Sequence, residues 1–213
     1  MIEVLYEDDY CIVVNKPSGL LTHPYKKETN ERENLLFSVR DQIDTYLYPI
    51  HRLDRPTSGI VIFGKEKEFI RNLQEVWHTD LVNKKYLALV LEKDLKDGAY
   101  NFALKSESGI FQEATTEFKV IEHFEESSYI ECLIKTGRRH QIRRHFSRRM
   151  QHLAGDRKYG KKRHNDYFLE HYGLKRLFLH AHYFSFVHPV TNKNIVIQSK
   201  LPKDLQLVLS QCK

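Results

Sequence analysis

Cysteine is scarce in this chain, and the three present, Cys11, Cys132 and Cys212, are far apart and odd in number. That spacing offers neither a disulfide framework nor a Cys-x-x-Cys metal pair, so they read as reduced packing residues of a cytosolic protein. Also lacking is any apolar run of bilayer length, and the opening MIEVLYEDDY places acids where a secretory signal needs bases and then apolar residues. A cytoplasmic protein with no membrane partner is the expectation. Nor is there a GxGxxG, a P-loop lysine motif, an HExxH or a GxSxG. Dinucleotide enzymes, NTPases and zinc hydrolases lose most of their weight. Repeats, low-complexity tracts and linkers are missing too, so residues 1–213 are predicted to form a single domain.

Acids are scarce in one particular place. Residues 138–163 carry eleven Lys or Arg against one acid, Asp156, while the rest of the chain holds 23 bases and 27 acids. The whole positive excess, a net charge of +6, therefore sits in one eighth of the sequence. A solvated amphipathic helix interleaves acids with its bases; six arginines from 138 to 149 with no acid favour a surface for nucleic-acid phosphates. Arginine, more than lysine, also suits bidentate phosphate contacts and stacking on bases.

What is there otherwise is a string of short apolar runs. Residues 10–14, 60–63 and 84–91 read as strands, the runs TTEFKVIEHF and SSYIECLIK as a hairpin, and LFLHAHYFSFVHP and KNIVIQSK as strands. Helical spacing appears in Leu36, Val39, Ile43 and Leu47, in Phe69, Leu73, Val76 and Trp77, and in Ile142, Phe146 and Met150, which are predicted to face inward. A short helix closes the chain, with Pro202 suited to its first turn. Strands outnumber helices without regular alternation, which predicts an α+β fold with a mixed, mostly antiparallel sheet flanked by helices and loops. The polar stretch of residues 25–34 reads as an exposed loop.

Two constellations compete for chemistry. His180 and His182 would share one face of a strand, as metal ligands can, but no third ligand stands at metal spacing and the pair reads as hydrogen-bonded histidines. The other is HRLDRPTSG, residues 51–59, which puts Asp54 between Arg52 and Arg55 on a helix-to-strand connection. Flanking cations are expected to keep that carboxylate ionised, which suits a nucleophile or a stabiliser of positive charge better than a proton donor. An ionised Asp, a polyarginine helix and no cofactor motif point to chemistry on a nucleic acid that needs neither metal nor nucleotide.

With these residues in view, the sequence resembles the pseudouridine synthases of the RluA family, most of all the TruC branch, which modifies tRNA. VVNKPSGLLTH (13–23), HRLDRPTSG (51–59), NKKYLALV (83–90), KTGRRHQIRRH (135–145), GDRKYG (155–160) and LFLHA (177–181) are similar to its motifs and stand in the same order. The chain departs from the general pattern at Arg55-Pro56, where Lys-Asp is usual, and at Arg144, where a small or apolar residue is usual.

The resemblance implies the pseudouridine synthase fold with a central active-site cleft, and no S4-type domain in front. It implies that Asp54 is the catalytic aspartate, that Tyr86 packs beside the target base and serves in proton transfer, and that Arg143 pairs with Asp54. Arg52 would enter the space a base vacates, Ile142 would line the pocket and Leu53 would anchor the loop. Arg55, Arg138, Arg139, His140, Arg144, Arg148, Arg149 and Lys158 are the further residues expected to bind RNA. The implied reaction turns uridine into pseudouridine in tRNA, at uridine 65, in a monomer with no metal, no nucleotide and no other cofactor. The alternatives are the same chemistry on ribosomal RNA, and a noncatalytic RNA-binding protein on the same scaffold.

Overall fold

Two antiparallel strands open the chain, β1 (Glu3–Glu7) and β2 (Cys11–Lys16), in register from Glu3 against Asn15 to Glu7 against Ile12 with a bulge between Val4 and Tyr6. The computed structural model describes residues 1–24 and 33–213. Helix α1 (Leu35–Ile43) buries Leu35, Leu36 and Val39. The loop expected over residues 25–34 lies mostly outside the described residues, but its end is corrected here: Asn34 is fully buried, because its side-chain oxygen caps α1 by accepting the Phe37 N–H at 3.1 Å. Such a cap contributes about 1 kcal/mol. The helix also stops sooner than its apolar spacing predicts. Asp44 turns left-handed at φ 49°, so Leu47 is buried beyond the helix instead of on it.

After the two-residue β3 (Tyr48–Pro49) comes β4 (Ser58–Gly64), buried at all seven positions and antiparallel to β2, with Cys11 opposite Gly64 and Lys16 opposite Gly59. Helix α2 (Lys67–Glu75) places Phe69, Ile70 and Leu73 against this sheet, with Trp77 buried just past its end. Each of those side chains contributes about 2 kcal/mol by leaving water.

Strand β5 (Val82–Val90) leads to β6 (Gly98–Tyr100), the two-residue β7 (Leu104–Lys105) and β8 (Phe111–Gln112), and then β9 (Thr116–His123) and β10 (Ser128–Ile134). β9 and β10 form the predicted hairpin, with a bulge between Tyr129 and Ile130, and β10 pairs on its other side with β5. Helix α3 (Gln141–Arg148) follows, then α4 (Lys162–Tyr172), a helix the sequence did not announce. β11 (Leu179–Val187) and β12 (Asn194–Gln198) make an antiparallel pair, and α5 (Lys203–Gln211) ends the described chain, with Pro202 at its cap and not in its first turn.

The chain divides into two compact units, residues 1–83 with 181–199, and residues 84–180 with 200–213. The first has its core in Val13, Ile60, Ile62, Phe69, Phe184 and Phe186. The second centres on Leu89, Phe168, Phe178 and Leu205. The architecture is α+β and mostly antiparallel, as the uneven mixture of strand and helix patterns predicts.

Candidate active site

In the first unit, Asp54 stands on the irregular connection between β3 and β4, half-buried, with Arg52 and Arg55 exposed on either side. The loop is held from beneath by the segment that follows β2. Lys16 is fully buried, and its ammonium donates to the carbonyls of Pro17 at 2.9 Å, Leu20 at 2.7 Å and Arg55 at 3.2 Å. A buried charge survives there because all three of its donors meet an oxygen. Arg55 and Gly19 exchange bonds, Arg55 Nε to Gly19 O and Gly19 N to Arg55 O, both at 2.8 Å. Ser18 Oγ donates to Pro56 O at 2.7 Å, and Thr22 Oγ1 both accepts from the Leu53 N–H and donates to the Leu53 carbonyl at 3.1 Å. Leu53 is buried, the anchor that the resemblance implied. At the far end Gly59 has φ 116° and lies so close to the Ala181 backbone that a Cβ would collide with it. Only glycine fits. The NKPSG turn and the aspartate motif, far apart in sequence, are thus one construction.

In the second unit Tyr86 sits mid-strand on β5, opposite Cys132, with only 9% of its surface exposed. Strand alternation puts Lys84 on the same buried face as Tyr86, opposite Ile134. Burial lowers the Lys84 ammonium from its ordinary value to about 8.

Helix α3 corrects the expectation that its inward face is apolar. Ile142 and Phe146 are buried, but so are Gln141, Arg143 and His145, whereas Met150 lies past the helix end in a left-handed turn and is exposed. The polar residues can be inside because each is paired. Gln141 accepts from Thr136 Oγ1 at 2.7 Å and from the Arg138 N–H at 3.0 Å, and donates to the Thr115 carbonyl at 2.8 Å. His145 contacts Thr116 Oγ1 at 3.0 Å and the Phe102 carbonyl at 3.2 Å, and burial lowers its pKa to about 4.

Arg143, 5% exposed, donates from Nε and Nη2 to the two oxygens of Asp156, both at 2.8 Å. Its guanidinium also lies 5.0 Å from the centre of the Tyr159 ring. Burial pushes the Asp156 carboxyl up, but the Arg143 bond and charge, with the N–H groups of Tyr159 and Lys158, outweigh it and hold the group below its usual range. His140, in left-handed backbone at φ 53°, meets the Tyr159 hydroxyl at 2.7 Å, and the Lys158 ammonium lies 5.7 Å from the same ring. His140, Arg143 and Lys158 of the expected set are therefore gathered around Tyr159. Asp156 lies within GDRKYG, and sequence position alone does not announce its pairing with Arg143.

The remaining arginines do not simply fan out into solvent. Arg138 donates to the Glu113 carbonyl at 3.0 Å, Arg144 to Lys105 O at 2.9 Å and Arg148 to Ala103 O at 3.2 Å, while Arg139 pairs with Glu107. Arg148 and Arg149 stack over Phe102, each within 6 Å of its centre. They hold the 102–113 segment against α3 and, with five donors on every guanidinium, keep directions for other acceptors.

Among the described residues one cluster has the donor types of a metal site: Asp8, Cys11 and His188, with ligand atoms within 4.8 Å of one another. Its hydrogen bonds argue otherwise. His188 Nδ1 accepts the N–H groups of Val190 and Thr191, which places the proton on Nε2, the nitrogen facing Asp8 at 3.2 Å. Asp8 also accepts from the Tyr10 and Cys11 N–H groups and from the Tyr6 hydroxyl, and burial pushes the Cys11 thiol up, so the cluster reads as a lock on the β1–β2 turn.

The profile of the RNA pseudouridylate synthase family matches residues 9–148. The tRNA pseudouridine synthase C of Vibrio vulnificus (strain CMCP6) is 33% identical over 225 residues, covering 95% of this chain and 92% of that one. That of Pasteurella multocida (strain Pm70) is 34% identical over 218 residues, covering 92% and 90%. Among solved structures, human RNA Pseudouridylate Synthase Domain Containing 4 superposes with a TM-score of 0.78 at 24% identity, over 99% of this chain and 92% of that chain. With a family profile over most of its length and relatives that match it nearly end to end, this chain belongs to the RNA pseudouridylate synthase family.

Proposed function

We propose that the protein converts uridine to pseudouridine in tRNA, at position 65, with Asp54 as the reacting carboxylate. The observation that carries this reading is the loop around Asp54. Three buried Lys16 bonds, the Arg55–Gly19 exchange and the collision that reserves position 59 for glycine all serve to fix one half-buried acid. Relatives named for the tRNA reaction support the choice of substrate class.

In the reaction the bond from ribose to uracil N1 breaks and a bond from the same ribose carbon to C5 forms. Asp54 engages the nucleotide while the base turns over; the C5 proton leaves to solvent and N1, released from the ribose, takes up a proton, so that the product is an isomer of the substrate. A uracil inside an A-form stem is out of reach, so it must be extruded, at a cost of a few kcal/mol in lost stacking and pairing. Arg52, exposed beside Asp54, is assigned to stack into the gap. Ile142 is assigned to the base pocket, and Tyr86 to the target base and its proton. Arg143 is assigned to pair with the reacting carboxylate and aim it. Residues 138, 139, 140, 144, 148, 149 and 158 are assigned, with Arg55, to the RNA backbone around the target. The chain acts as one catalytic domain, as a monomer, with no cofactor, in the cytoplasm. The three cysteines, all free, fit a reducing compartment.

The test is tritium release from uracil labelled at C5, on tRNA and on ribosomal RNA in parallel. Wild-type chain should release tritium from tRNA, and Asp54→Asn should release none while binding tRNA within a few fold of wild type. Release from ribosomal RNA alone would move the address. An active Asp54→Asn would overturn the role of the carboxylate.

A further inference from the structure

We infer that Asp156 is a positioning residue for the reaction, acting through Arg143. This rests on the role given to Arg143 above. A lone charge partner would neutralise a buried arginine through any contact; Asp156 does more. It accepts Nε and Nη2 on its two oxygens, both at 2.8 Å, which fixes the guanidinium in plane and in rotation. The Tyr159 ring, 5.0 Å from the guanidinium carbon, fixes the third direction. The three remaining N–H groups of Arg143 are thereby aimed by two bonds and a face.

The support is itself supported. Asp156 Oδ1 accepts the N–H groups of Lys158 at 2.9 Å and Tyr159 at 3.0 Å, and the Asp156 carbonyl accepts from Gly160 N at 2.9 Å and Asn165 Nδ2 at 3.0 Å. Tyr159 is tied down twice, by His140 Nδ1 at its hydroxyl and by Ser147 Oγ at its carbonyl. Gly155, just before the aspartate, has φ 74° and presses on the Arg176 backbone, where a Cβ would collide. GDRKYG is thus a rigid bracket, and its product is the orientation of one arginine.

The test compares tritium-release kinetics on tRNA for full-length wild type, Asp156→Glu, Asp156→Asn, Arg143→Gln and the double variant Arg143→Gln/Asp156→Asn, each with a thermal melt. Asp156→Glu keeps the opposite charge but displaces the guanidinium by about 1 Å, and a misplacement of that size lowers rate by about 100-fold. We expect kcat of Asp156→Glu to fall by that factor with KM for tRNA within about threefold of wild type and the melting transition retained. The double variant should be no slower than Arg143→Gln alone. Wild-type kcat in Asp156→Glu, a loss confined to KM, losses that multiply in the double variant, or an Asp156→Glu that no longer melts cooperatively would each overturn the inference. A wild-type chain that releases no tritium would overturn the pseudouridine reading and this inference with it, whereas an active wild type with an undiminished Asp156→Glu sinks the inference alone.

Discussion

Replacing Lys84 by Met should make the protein more stable at neutral pH, and the gain should shrink as the solution is made alkaline. The side chain is 5% exposed on the inner face of β5, and burial lowers its pKa from 10.5 to about 8. Below pH 8 the lysine is charged in both the folded and the unfolded chain, so folding carries the whole net cost of holding that charge in the interior, its surroundings included. Two and a half pKa units at about 1.4 kcal/mol each set this at about 3 kcal/mol. Between pH 8 and 10.5 the unfolded chain binds more protons than the folded one, and wild-type stability rises with pH. By pH 10 the penalty has shrunk to about 1 kcal/mol. Methionine keeps the unbranched stem and its packing while removing the charge. Urea denaturation of wild type and Lys84→Met at pH 7, 8, 9 and 10 therefore should show a gap in favour of the variant of about 3 kcal/mol, closing by about 2 kcal/mol over that range. A gap that stays constant from pH 7 to 10 would mean that the buried lysine titrates as it does in water, and the reasoning fails.

Two further outcomes concern the reaction and the RNA. Tyr86→Phe keeps a ring that is almost wholly buried, so stability should change little, while kcat on tRNA should fall by about 10²- to 10⁴-fold if the hydroxyl moves a proton; retention of most activity in single-turnover assays would reduce Tyr86 to a packing residue. If about five arginines of the 138–149 region meet phosphates, the log of tRNA affinity should fall against log salt with a slope of about −4 to −5 in filter binding, and a slope of about −1 would remove α3 as the principal RNA contact.

Much of the frame could be read from the letters because its strands are simple. β4 is buried on every residue and β10 alternates without interruption, so periodicity located both. The aspartate loop and the NKPSG turn were each visible as motifs, but that one clamps the other through Lys16 and Arg55 depends on bonds between residues 39 and 36 positions apart. Helix α4 escaped notice for a physical reason: Phe168 is its one buried residue, so it carries almost no apolar stripe to detect. The inner face of α3 escaped because Gln141, Arg143 and His145 are inside by virtue of their partners, which pattern alone does not name. Lys84 was within reach, since it stands two residues before Tyr86 on a strand, and period two places both on one face.

The order in which the chain visits its two units bears on how it is made. The hydrophobic cluster of residues 1–83 is completed by Phe184, Phe186 and Ile197, which a ribosome delivers about a hundred residues later. Residues 9–148, the portion bearing the family signature, thus omit three members of the cluster to which Ile60 belongs and against which Ile50 packs, one on either side of the Asp54 loop. A fragment cut to the signature would leave those apolar partners of β2 and β4 open to water and prone to aggregate, and the nascent chain must wait for its last strands before the aspartate has a floor to stand on.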